Sequence, residues 1–155
     1  MRVLGAKSAP KEHPVAEGRS WLDRKSIFRR PFSAYAIDTA KRLVTVRFAE
    51  TLTFDDIEDY ASALRADRRF DPNFSELVDL RDVEEVVLSA RQMLSLADHV
   101  DPFTLRSKRA FVARGQVQIN AAHMHRILRP ESNNIRVFFS IGEAEQWIDH
   151  SEPDR

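Results

Sequence analysis

The sequence predicts an α/β fold in which an N-terminal β-hairpin leads into alternating α-helices and β-strands, giving a mainly parallel sheet of about five strands with about four helices. Three observations predict it. Val44, Val46 and Phe48 alternate with Thr45 and Arg47, the period of a half-buried strand. Three box-like capping sequences, Thr53-Phe-Asp-Asp56, Ser89-Ala-Arg-Gln92 and Ser140-Ile-Gly-Glu143, each precede apolar residues at helical spacing. Between those helical stretches lie short apolar runs of strand length, as expected of strands covered on both faces.

In chain order, Ala34–Ile37 and Leu43–Phe48 flank a turn at Asp38-Thr39-Ala40-Lys41 and form the hairpin. The first helix starts at the Thr53 cap, carries Phe54, Ile57, Tyr60, Ala61 and Leu64, and ends near Asp67. After the Asp71-Pro72-Asn73 turn comes a strand at Glu76–Leu80, with Glu84-Glu85 in the following loop. The Ser89 cap opens a second helix with Ala90, Met93, Leu94, Ala97 and Val100 on one face, stopping near Asp101-Pro102 because the residue before proline is driven out of helical geometry. Arg109–Ala113 is the next strand. Gly115 opens a third helix with Val117, Ala121, Met124 and Leu128 as its apolar face, closed by Pro130. Ile135–Phe139 is the last strand, and Ala144, Trp147 and Ile148 face inward from the last helix. Strand–helix alternation of this kind implies parallel neighbours joined by right-handed crossovers.

Charge divides the chain. Residues 1–32 carry 8 Lys/Arg against 3 Asp/Glu, a net of +5, and residues 33–155 carry 16 against 21, a net of −5. The first segment is read as a flexible basic arm, residues 33–150 as the folded domain and 151–155 as a polar tail. Arg24-Lys25 and Arg29-Arg30 lie beside Trp21, Leu22, Ile27 and Phe28, but a helical projection puts Lys25 inside the apolar sector. No nucleic-acid or membrane-surface helix is therefore expected.

The absence of Cys excludes disulfides, thiolate zinc sites, iron–sulfur clusters and a cysteine nucleophile. The longest apolar runs, Ala34–Ile37 and Ala110–Ala113, have four residues, against the ~20 that span a bilayer. With no apolar stretch of signal-peptide length at its start, the chain is expected to be cytoplasmic. His123 and His125 are two apart, about 200° around a helix, so they cannot share one metal ion, and no metal or other cofactor is expected. No nucleophile elbow, phosphate-cradling Gly-rich loop or metalloprotease motif occurs, and a non-enzymatic role follows as the expectation.

The order of elements resembles the STAS domain, named for sulphate transporters and anti-sigma-factor antagonists, over about Ser33 to Ile148. Asp79-Leu80-Arg81-Asp82-Val83 followed by Val87-Leu88-Ser89-Ala90 is similar to that family's strand ending in Asp-Leu and its Asp-Ser-Ser/Thr-Gly helix start. Val87, Leu88 and Ala90 stand where the family has Asp, Ser and Gly. The hairpin, Leu77-Val78-Asp79-Leu80 and the closing Val137-Phe138, Ala144 and Trp147 look most like the SpoIIAA-like branch. The resemblance implies a regulatory or protein-interaction domain, a possible homodimer, and Ser89 as a candidate phospho-acceptor. Asp79, Arg81, Asp82, Arg114 and Gly115, placed near strand ends, are the candidate contacts for a partner or ligand. The fold is also similar to the lipid-carrying CRAL-TRIO domain, whose analogue here would hold an apolar small molecule or lipid between the sheet and the helices bearing Met93, Leu94, Met124 and Leu128.

Overall fold

The computed structural model describes residues 33–129 and 134–150. The basic arm, the polar tail and the expected helix stop at Pro130 lie outside the described residues. In chain order the elements are β1 (Ser33–Asp38), β2 (Leu43–Thr53), α1 (Phe54–Ala66), β3 (Ser75–Val87) and α2 (Ala90–Ser95), which runs into a π-helical turn (Leu96–Val100). They continue as β4 (Arg109–Val112), α3 (Gln116–Leu128), β5 (Ile135–Phe138) and α4 (Ile141–Asp149).

Spatial order in the sheet equals chain order, β1-β2-β3-β4-β5, with β1 antiparallel to β2 and every other pair parallel. Since each crossover steps one strand in the same direction, α1, α2 and α3 gather on one face. Alternation along the strands sends Val44, Val46, Phe48, Val78, Leu80, Phe111 and Ile135 to that face, against Tyr60, Leu64 and Ala122. Leu43, Leu77, Ala110 and Val112 point the other way and meet Ala144 and Ile148 of α4. Lys108 fixes the end of α4, where its ammonium donates to the Trp147 carbonyl at 2.9 Å and lies over the Trp147 ring.

The three expected caps form. The Thr53 side chain accepts from the Asp56 N–H while the Asp56 carboxylate accepts from the Thr53 N–H. Ser89 and Gln92 make the same reciprocal pair, and the Ser140 hydroxyl accepts from Glu143 N–H.

Four expectations of detail are corrected. β2 and β3 continue past Phe48 and Leu80 as a parallel ribbon in which Ala49 faces Asp82 and Thr53 faces Val87. The Glu84-Glu85 pair is therefore strand, with both side chains exposed while Val83 is buried, and the register slips twice where Glu50 takes a positive φ of 57°. The expected last strand residues Ala113 and Phe139 fall just beyond β4 and β5. The second helix leaves Leu94 outward, 53% exposed, because Leu96 and Val100 are the buried positions and Leu94, two residues before Leu96, lies about 160° from it around the helix, while the last turn widens to π geometry with Asp101 N–H donating to Leu96 C=O. On α3, Val117 and Met124 are 43% and 39% exposed and the buried positions are Gln118 and Ala122. Gln118 tolerates burial because its amide is satisfied: Oε1 accepts from Gly115 N–H at 2.6 Å and Nε2 donates to Val83 C=O at 2.5 Å.

Candidate functional site

Glu76 begins the inward-facing series of β3, and Arg109 begins that of β4, directly opposite it in the register. Period-two alternation therefore carries a carboxylate and a guanidinium onto the apolar face among Val78, Leu80 and Phe111. Their side chains are 1% and 8% exposed. Arg109 Nε donates to Glu76 Oε2 at 2.6 Å, and Tyr60 of α1 donates its hydroxyl proton to Glu76 Oε1 at 2.8 Å. Arg109 also donates to Asp101, the residue after the π turn, and Arg129, after α3, donates to the same carboxylate. His125 of α3 completes the group, with Nε2 3.1 Å from Arg109 Nη1 and its ring tilted on Phe111 at 5.4 Å between centroids. Arg109 lies over the Phe103 ring, 4.9 Å from its centroid.

Burial and pairing set the protonation states. Burial pushes Glu76 above the usual carboxylate range, and Arg109 offsets part of that. For Asp101 burial acts in the same upward direction, but Arg109, the Phe103 N–H and Arg129 outweigh it and the net direction is down. The Arg109 guanidinium is desolvated, yet Glu76 and Asp101 raise its pKa above the usual value. Burial, then the positive charge of Arg109, lowers His125 to about 3, so the imidazole is neutral. A neutral ring whose Nε2 accepts from Arg109 carries its proton on Nδ1.

Above this ionic floor is an apolar cavity between the sheet and the helices. Phe48, Leu52, Val78, Leu80 and Phe111 line it from the sheet, Ile57 and Ala61 from α1, Met93, Leu96 and Val100 from α2 and its π turn, and Ala121, Met124 and Leu128 from α3. Glu76, Asp101, Arg109, His125 and the Tyr60 hydroxyl bearer form its polar end. Its volume is about 120 Å³, close to the ~150 Å³ of an engineered apolar cavity that takes up benzene.

The residues singled out from the sequence fall elsewhere. Asp79 and Arg81 face each other within β3, Arg81 Nε donating to Asp79 Oδ1 at 2.9 Å and Nη2 to Oδ2 at 2.9 Å. Arg81 thus sits inside the strand and not on a loop after it, because pairing with β2 extends β3 to Val87. Asp82 takes an ion pair from Arg47 of β2. Arg114 is exposed beside Gly115, the cap residue of α3. Ser89 is exposed and occupied as a cap. Replacing Ser89 with Ala is expected to cost ~0.5–2 kcal/mol and replacing it with Asp almost nothing, read from denaturant midpoints, since Asp also caps helices. Met93, Met124 and Leu128 do line the cavity, whereas Leu94 does not.

The ionic cluster leaves only a trace in the sequence. Glu76 and Arg109 are charged residues of opposite sign that open two short apolar strands with the parity of the core positions. Among the described residues, no group of three His, Asp or Glu side chains is placed to hold a metal ion, and no helix is long and apolar enough to cross a membrane.

Fold and site together define a small α/β domain with a largely apolar cavity, partly open to solvent, that has paired charges at one end. No family model matches the chain, and no curated protein does. Its structure is similar to that of an uncharacterized protein of the DUF3478 family with a SpoIIAA-like fold from Shewanella loihica PV-4, at 21% identity and a TM-score of 0.49. That likeness covers 74% of this chain and 92% of the other.

Proposed function

We propose that this is a non-enzymatic domain that binds an apolar small molecule in the cavity between the sheet and α1, α2 and α3. The observation that carries the reading is the cavity itself, apolar along its walls with a few polar groups converging at one end, the usual composition of a small-molecule site. His125, the one imidazole there, has Nε2 engaged by Arg109 and is too weakly basic to take a proton near neutral pH, which argues for binding over general-base chemistry. The protein-interaction reading draws less support, since Ser89 serves as a helix cap and Arg81 is held by Asp79.

The test compares protein purified gently from its native host with an Ala121→Trp variant, by mass spectrometry of organic extracts. Ala121 sits on the α3 wall, so the indole enters the cavity. The wild type is expected to yield an apolar small molecule and the variant to keep its melting temperature within a few degrees while losing that molecule. Extracts that are empty for both, or identical for both, would overturn the proposal.

A further inference from the structure

Resting on that reading, we infer that the cavity selects an uncharged, ring-sized molecule bearing a hydroxyl or carbonyl oxygen, and rejects the carboxylate anion of the same skeleton. Charge balance in the floor sets this preference. The floor holds two carboxylates, Glu76 and Asp101, and the two guanidiniums of Arg109 and Arg129, and each charge is paired within the floor. An incoming carboxylate would meet no cation without a counter-charge, would lie beside Glu76 and Asp101, and would lose its hydration on entering apolar walls. A protonated amine fares no better, because both carboxylates are already shared with arginine. A hydroxyl or carbonyl avoids the cost of desolvating a charge.

The polar end also includes one uncharged ring, that of His125. With Nε2 accepting from Arg109, His125 carries its proton on Nδ1, and His125 is part of the cavity wall. The open space holds a single ring. The surrounding Phe48, Phe111, Met93 and Met124 suit an aromatic face, through ring contacts and polarizable sulfur.

The experiment uses three probes with one skeleton, 3-phenylpropan-1-ol, 3-phenylpropanoate and 3-phenylpropylammonium, titrated calorimetrically into the full chain at pH 7. The alcohol is expected to bind at least tenfold more tightly than either ion. An ion that binds as tightly as the alcohol overturns the charge selection and leaves the binding function standing, whereas failure of all three to bind overturns both. In a Glu76→Gln variant the floor gains a net positive charge, so the carboxylate is expected to gain at least tenfold relative to the alcohol. A folded variant with the wild-type preference would overturn the role given to the paired charges.

Discussion

Replacing Arg109 with Met is expected to destabilise the domain by ~3–5 kcal/mol, because the substitution leaves Glu76 buried without its counter-charge and Asp101 with only Arg129. Methionine keeps much of the stem volume against Phe103, so the loss reads mainly the stranded charge. Adding Glu76→Gln to the same chain removes that charge while keeping an acceptor for the Tyr60 hydroxyl. The double variant is therefore expected to recover at least half of the loss, with Asp101 and Arg129 still forming a neutral pair. Urea midpoints of the two singles and the double provide the cycle. If the double variant is as unstable as Arg109→Met alone, the cost comes from lost packing and not from an unpaired carboxylate.

The residues of that cycle are not legible in the sequence, and the reason is physical. Element order, the hairpin and the capped helix starts depend on contacts within a few residues, such as Thr53 with Asp56 and Ser89 with Gln92, and these are legible from one chain. The Glu76–Arg109 pair spans 33 residues and exists only because β3 and β4 are placed in parallel register. Within its own segment Glu76 is simply a polar residue beginning a strand. Similarly, Glu84 and Glu85 interrupt the apolar alternation that marks a strand, and only pairing with β2 reveals that the strand continues past them. Helical spacing puts both Leu94 and Leu96 beside Met93, on opposite sides of it, and only the packing of Leu96 and Val100 against Ala61 decides which side is buried. The cavity is partly legible: Met93, Met124 and Leu128 were visible as apolar helix positions, while the charged floor beneath them required the sheet.

His125 makes the domain sensitive to acid in a defined window. In the unfolded chain a histidine takes up a proton near its ordinary pKa of 6.5, but in the folded domain burial and the neighbouring Arg109 hold it at about 3. A depressed histidine pKa means that the unfolded state binds the extra proton first. Stability is therefore complete above about pH 6.5 and falls as the pH is lowered toward 3. Between about pH 6.5 and about pH 4.5 the loss from this one group is expected to be roughly 2–3 kcal/mol. The groups around the ring act differently. Glu76 has a raised pKa, so the folded state takes its proton early and this group opposes the loss. Asp101 has a lowered pKa, and its contribution starts to disappear only below the usual value of 3.8, outside that window. Tyr60 has a raised pKa and stays protonated throughout. The histidine is isolated by comparing wild type with His125→Gln, whose amide oxygen still accepts from Arg109 but does not titrate. Urea midpoints taken every half pH unit are expected to fall more steeply for the wild type below pH 6.5, by about one proton per molecule. Parallel curves for the two proteins would show that His125 is as easily protonated in the folded domain as in the unfolded chain.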